Sequence, residues 1–304
     1  MSIHAFILGS PRSGTTLLGD ILDLHPQVGR WYEPVFVLDR YFADAADDRR
    51  SAEDATGEVK RYVTRAFETY RRRTGCDIVV AKTPGSCFRI PFLLEIFPDA
   101  KLIHIIRDGR DATLSIRREW NRRLNIVESE GTALEAILAV RSFLDRQTFL
   151  DHKLAALAFE IGSFSNLFKG RFHMTYRLRR WNGRTGWGPQ FEGWQDVVHK
   201  LSTLEFSAMQ WKECVAAVLR DTRELGSDQM IEIRYEDLLD RPQETLESLL
   251  GFLEAPFPED FMTRLPKLKA SNYGKWRDAF SEEEKALIGP ILDPLLTQLD
   301  YANG

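Results

Sequence analysis

Two spacings of apolar residues alternate along this chain. Short apolar-rich runs at residues 4–8, 77–81, 101–106 and 230–235 have the length and composition of buried strands. The first of them ends in Gly9-Ser10-Pro11, the second in Lys82 and the third in Arg107. Between the runs the spacing changes to three and four. Leu17, Leu18, Ile21, Leu22 and Leu24 mark a helix over 15–24, which His25-Pro26 stops. The polar stretch 44–75 carries the helical stripe Tyr62, Val63, Ala66, Phe67 and Tyr70. Further helices are predicted at 90–97, 111–119, 130–160, 201–225 and 240–253, the last with Pro242 in its first turn. Ser281 and Glu284 form a Ser-x-x-Glu capping box that opens a final helix. Residues 171–193 are rich in Gly, Trp and Arg and show no period, which predicts a long irregular segment. Strands alternating with helices predict an α/β fold, a parallel sheet flanked by helices and joined by right-handed crossovers. Helical and irregular insertions interrupt it.

Composition narrows this picture. The chain has 304 residues, 43% hydrophobic and 28% charged, enough for a sizeable core. No repeat, low-complexity tract or linker divides it, so a single domain over 1–304 is expected. A net charge of -4 argues against general electrostatic binding to nucleic acid. Three separated cysteines, Cys76, Cys87 and Cys214, make neither a disulfide framework nor a metal-ligand pattern. The first apolar run is too short for a signal sequence, and no stretch reaches the ~18–20 apolar residues of a membrane span. Together these features predict a soluble, cytoplasmic protein that requires no metal.

The chemistry starts at Gly9-Ser10-Pro11-Arg12-Ser13-Gly14-Thr15-Thr16, between the first strand and the first helix. The first amides of a helix lack intrahelical partners and its dipole is positive there, so such a turn cradles anions. Ser13, Thr15 and Thr16 add hydroxyl donors, and Arg12 adds a forked cation suited to phosphate or sulfate oxygens. The Gly9-x4-Gly14 spacing is that of a Walker loop, making the fold P-loop-like, but Thr15 stands where a Walker loop has lysine. The strand at 101–106 then ends in Arg107, not in the carboxylate that would hold Mg²⁺. A cation there suits a second anionic group.

With both motifs in view, the chain resembles the sulfotransferases that use 3′-phosphoadenosine 5′-phosphosulfate (PAPS), nearest the tyrosylprotein and carbohydrate branch. In that family a Pro-Arg/Lys-Ser-Gly-Thr-Thr loop, here Pro11 to Thr16, grips the 5′-phosphosulfate. An Arg-Asp-x-Arg-Asp-x-x-x-Ser motif binds the 3′-phosphate. It corresponds to Arg107-Asp108-Gly109-Arg110-Asp111-Ala112-Thr113-Leu114-Ser115, which carries that role to Arg107 and Ser115. The resemblance continues in Lys82-Thr83-Pro84, in Arg234-Tyr235-Glu236-Asp237-Leu238 and in Gly274-Lys275-Trp276, covering about 3–120 and 230–280. By analogy Tyr235, Ser271 with Asn272, and Lys275 lie near the nucleotide. Leu17 departs from the many cytosolic relatives with an adenine-stacking tryptophan there, so although Leu17 belongs to the donor loop, the adenine contact comes from elsewhere.

The resemblance implies transfer of a sulfuryl group from PAPS to a hydroxyl acceptor (a sugar, a peptide or a small natural product), leaving 3′,5′-adenosine bisphosphate. Positioning and charge stabilisation supply most of such a reaction's acceleration. Arg12 and Lys82 are the candidate cations. Glu33, in Trp31-Tyr32-Glu33-Pro34, stands where the family has its catalytic glutamate. From its own surroundings in sequence, Glu33 reads as a solvated loop carboxylate; the resemblance makes it the base. His25 and His104 read as structural residues. Lys82 has a plain alternative as a strand-end lysine reaching water, and Tyr235 as a packed tyrosine. The cations and aromatics from Tyr176 to Trp194 are equally an acceptor lid, over about 165–200, and a surface insertion. Two other readings stay open: a P-loop kinase with an altered lysine, and a nucleotide-binding regulator without catalysis.

Overall fold

The computed structural model describes residues 2–42, 44–129 and 186–301. Packing divides the chain into two compact units. One comprises Met1–Pro34, Asp47–Arg117 and Gly188–Gly304, the other Val35–Ala46 and Arg118–Trp187.

The first unit is built on one parallel sheet of five strands: β1 (Ile3–Leu8), β2 (Val28–Tyr32), β3 (Ile78–Lys82), β4 (Lys101–Ile106) and β5 (Met230–Arg234). Their spatial order is β2-β3-β1-β4-β5. The apolar runs of β1, β3 and β4 are covered on both faces, as parallel strands flanked by helices must be. Ile7, Leu18, Ile21, Ile103, Ile105, Leu238, Leu249 and Phe261 meet in an apolar cluster. The α/β expectation therefore holds, with strand and helix ends shifted by a few residues.

The edge strand β2 has no counterpart in the apolar pattern. Val28-Gly29-Arg30-Trp31-Tyr32 lacks a continuous apolar run because Gly29 and Arg30 interrupt it. What makes it a strand is its ladder with β3, from Val28 opposite Ile78 to Tyr32 opposite Lys82. Trp31 stacks on Tyr70 at 4.5 Å, and the Tyr70 hydroxyl donates to the Arg30 carbonyl at 2.6 Å. The predicted helix at 44–75 is a short turn, Ala52–Asp54, and then the helix Gly57–Thr74. The one predicted at 111–119 runs from Gly109 to Ser129. The capping box at Ser281 forms as expected, Ser281 accepting from the Glu284 amide at 3.2 Å.

In the second unit, Val35–Leu38 makes one helical turn. The Arg122 and Arg123 guanidiniums hold the Glu119 carboxyl down at about 2. The predicted helix at 130–160, and the irregular segment and lid up to residue 185, lie outside the described residues. Residues 186–193 are irregular, and Trp194–Val197, which belongs to the first unit, is a single helical turn.

One buried ion pair fastens three loops of the first unit. Asp48 and Arg89 are both fully buried, with Arg89 Nη2 donating to Asp48 Oδ1 at 2.7 Å. The other Asp48 oxygen accepts from the Gln190 amide at 2.7 Å, and the Asp48 amide donates to the Gln190 carbonyl at 2.9 Å. Removing one partner of such a pair leaves a buried charge uncompensated. Asp48→Ala is therefore expected to cost about 3–5 kcal/mol, read as a lower midpoint in urea unfolding; an unchanged midpoint would contradict the pair's role.

Candidate active site

A parallel sheet delivers the carboxyl ends of all its strands to one edge, and the central strand marks where connections diverge. Here β1 is central and runs into the phosphate loop, and the loop's geometry follows from close packing. Gly14 is left-handed (φ 94) and caps the helix Thr15–Leu22. A Cβ at Gly14 would lie 2.4 Å from the Tyr235 ring, so only glycine lets that ring close on the loop. Arg12 also has a positive φ, 66°, rare for a side-chain-bearing residue. Ser10 and Ser13 hydroxyls share a hydrogen bond of 2.6 Å, and the Gly9 amide donates to Cys87 Sγ at 3.2 Å. The first intrahelical bond runs from the Leu18 amide to the Gly14 carbonyl at 2.9 Å. The amides of Thr15, Thr16 and Leu17 come before it, at the positive end of the helix dipole. Thr16 and Arg12 are exposed, Thr15 and Ser13 buried. Leu17 is half-buried against the apolar cluster.

On one side of the loop lie the ends of β3 and β2. Lys82 is buried, and its ammonium donates to Glu33 Oε1 at 2.9 Å. The Glu33 amide donates to the Lys82 carbonyl at 2.8 Å, extending the ladder by one residue into a left-handed conformation (φ 45). The Lys82 ammonium lies 5.0 Å from the centre of the Tyr32 ring. Beyond it the Thr83 and Ser86 hydroxyls are buried without a hydrogen-bond partner.

On the other side lie the ends of β4 and β5. Arg107 donates from Nη1 to the Arg12 carbonyl at 3.0 Å and from Nη2 to the Asn272 carbonyl at 2.5 Å. Its guanidinium sits 4.7 Å from the Tyr235 ring centre, and its Nε is buried without a partner. Arg12 Nε donates to Ser115 Oγ at 3.1 Å, drawing that cation towards Ser115. Tyr235 shares a hydrogen bond with the Asn272 side chain, and burial pushes its phenol up, so it stays protonated at neutral pH. Lys275 donates to Asn272 Oδ1 at 3.1 Å; Ser271 is exposed in the neighbouring turn.

Glu33, Lys82, the phosphate loop, Arg107 and Tyr235 therefore follow one another along the ends of β2, β3, β1, β4 and β5. Ser115 lies on the helix Gly109–Ser129, and Ser271 and Lys275 on the segment 270–276. Glu33 and Lys82 flank the loop on one side; Arg107, Ser115, Tyr235, Ser271 and Lys275 lie on the other. His25 and His104 do not join them. His25 Nε2 bonds the Pro256 carbonyl at 2.8 Å and its Nδ1 accepts from the Gln27 amide at 3.2 Å. His104 is fully buried, which lowers its pKa. Among the described residues no group of three or more His, Cys, Asp or Glu side chains could hold a metal ion. Orphaned hydroxyls at Thr83 and Ser86, the free Nε of Arg107 and the unpaired helix amides fit an oxygen-rich anionic ligand such as PAPS.

The sequence profile of the Sulfotransferase family matches residues 5–139 and 184–259. The chain belongs to that family. It is 22% identical over 263 residues to a protein-tyrosine sulfotransferase of Drosophila melanogaster, a match covering 83% of this chain and 38% of that protein. It is 34% identical over 129 residues to protein-tyrosine sulfotransferase A of Caenorhabditis elegans, covering 36% and 32%. The chain thus spans well under half the length of the curated relatives it matches. The sulfotransferase domain from the curacin biosynthetic pathway shares its fold, with a TM-score of 0.55 at 15% identity over 99% of this chain and 98% of that one. No described helix is long and apolar enough to cross a membrane.

Within this sulfotransferase frame, three supporting residues escaped the sequence reading. Trp211, fully buried, donates from its indole nitrogen to the Arg107 carbonyl at 3.2 Å. Cys87 accepts from the loop, and Asp111 grips the 274–276 backbone. Only Asp111 carried a signal, as the second aspartate of the Arg107 motif. Because Gly14 has both a left-handed φ and the Tyr235 ring against it, Gly14→Ala is expected to destabilise the fold by about 1–3 kcal/mol. The check is the urea midpoint, and an unaltered value would contradict the packing of Tyr235 on the loop.

Proposed function

We propose that the chain binds PAPS along the carboxyl edge of its sheet and transfers the sulfuryl group to a hydroxyl-bearing acceptor. The observation that carries this reading is the Glu33–Lys82 pair, a carboxylate and an ammonium 2.9 Å apart, beside a phosphate loop whose far side carries Arg107. A kinase of the Walker type would need a loop lysine and a metal-binding carboxylate at the positions that Thr15 and Arg107 occupy.

When bound, PAPS supplies the sulfuryl group, with its 5′-phosphate end as the leaving group. The amides of Thr15, Thr16 and Leu17 and the hydroxyls of Ser13, Thr15 and Thr16 hold the 5′ end. Arg107, Ser115 and Arg12, with Tyr235, Ser271 and Lys275 around them, hold the 3′-phosphate. Arg12 belongs to the loop and also reaches Ser115, so its charge serves both ends. Glu33 takes the proton from the acceptor hydroxyl as that oxygen attacks in line. Once neutral, Glu33 holds Lys82 less strongly, and the ammonium is freed to stabilise charge developing on the leaving phosphate oxygen. The proton ends on the Glu33 carboxyl. The acceptor is a hydroxyl on a sugar, a peptide or a small natural product.

Two measurements test this. Saturating 3′,5′-adenosine bisphosphate should raise the melting temperature, since at 100 times Kd a ligand adds about 2.7 kcal/mol of stability. A shift with ATP and Mg²⁺ and none with the bisphosphate would overturn the reading. Glu33→Gln should retain bisphosphate binding while kcat, followed by mass gain on the acceptor, falls about 10²–10⁴-fold. Unchanged turnover would remove Glu33 as the base.

A further inference from the structure

The turn Arg107–Asp111 grips the segment 272–276 at three places. Arg107 Nη2 holds the Asn272 carbonyl at 2.5 Å. Asp111, nearly fully buried, accepts from the Gly274 amide with one carboxylate oxygen and from the Trp276 amide with the other, the latter at 3.1 Å. Arg110 lies over the Trp276 ring with its guanidinium carbon 4.0 Å from the centre. Arg110 is itself fixed, donating to Asp108 Oδ2 and to the Tyr301 carbonyl, each at 2.8 Å.

The two amides that Asp111 holds lie on either side of Lys275. One carboxylate therefore sets the backbone from which the Lys275 side chain departs. That side chain reaches Asn272 Oδ1 at 3.1 Å, and Asn272 in turn contacts both Arg107 and Tyr235. Charge-assisted bonds from a buried carboxylate to main-chain amides are among the stronger fixings available to a loop. Without them, 272–276 keeps the bonds of Asn272 to Arg107 and Tyr235, the Tyr273 hydroxyl bond to Asp240 and the ring contacts of Trp276. The backbone on either side of Lys275 is nevertheless released, and Lys275 loses its fixed place in the Arg107 cluster.

We propose that Asp111 is a positioning residue for recognition of the 3′-phosphate: it fixes the 274–276 backbone so that Lys275 joins Arg107 there. The inference rests on the PAPS reading above and adds a residue that touches no ligand. The role predicts a selective loss. A ligand with a 3′-phosphate should suffer when Asp111 is changed, and one lacking it should not.

The test is calorimetric titration of the full chain with 3′,5′-adenosine bisphosphate and with AMP, which differs only in lacking the 3′-phosphate. Asp111→Ala is expected to weaken the bisphosphate about tenfold or more, the loss of roughly one charge-assisted hydrogen bond. AMP binding should change little, so the preference for the bisphosphate collapses. Asp111→Asn keeps one acceptor oxygen in the same place and should lie between, which also serves if the alanine variant does not fold. A preference for the bisphosphate unchanged in the variants, or equal weakening of both nucleotides, overturns the assignment while leaving PAPS binding intact. Failure of the bisphosphate to bind the unaltered chain overturns both.

Discussion

The hydrogen bond from Arg107 to the Arg12 carbonyl, 3.0 Å long, joins the two halves of the site. Arg12 is the residue of the phosphate loop whose backbone an L-amino acid adopts at a cost, and Arg107 holds its carbonyl in that conformation. The same guanidinium lies against Tyr235 and ties down Asn272. Its main chain is fastened from behind by Trp211. One buried cation thus fixes the loop, the aromatic ring that covers Gly14 and the segment carrying Lys275. Its placement follows from β4 lying beside β1 in parallel register, Ile7 opposite Ile103 and Leu8 opposite His104.

Two of the four left-handed non-glycine residues among those described lie where the chemistry is assigned, the others being Glu254 and Asp300. Arg12 and Glu33 are both left-handed without being glycine, and each such residue costs on the order of 1–3 kcal/mol. Each is restrained by a residue ending a neighbouring strand: Arg12 by Arg107, Glu33 by Lys82 through both main chain and side chain. Strands that are buried on both faces and cannot shift make those restraints stiff. A carboxylate and an ammonium held this way lose little freedom when a ligand arrives, which is the condition for positioning to contribute to rate.

Much of this was legible in the residues themselves. β1, β3 and β4 are buried on both faces and so appear as plain apolar runs, and the glycines of the phosphate loop announce a sharp turn between strand and helix. The strand β2 was hidden, because an edge strand containing Gly29 and Arg30 depends on its neighbour's ladder and not on its own pattern. That omission mattered. Glu33 reads as a loop carboxylate until β2 brings it to the end of Lys82's strand. Trp211, Cys87 and the Asp48–Arg89 pair were equally hidden, since their partners are far away in sequence. Three-dimensional packing alone brings them together. The motif around Arg107 did mark Asp111, but nothing in its spacing showed that the carboxylate faces the 274–276 amides.

The central claim is that the sheet edge is ordered, with base and cation on one flank of the phosphate loop and a 3′-phosphate site on the other. The most direct measurement is a crystal structure of the complex with 3′,5′-adenosine bisphosphate. The account predicts the 5′-phosphate on the Thr15–Leu17 amides near Lys82, and the 3′-phosphate among Arg12, Arg107 and Ser115. A nucleotide lying the other way, with its 3′-phosphate beside Glu33 and Lys82, would contradict it.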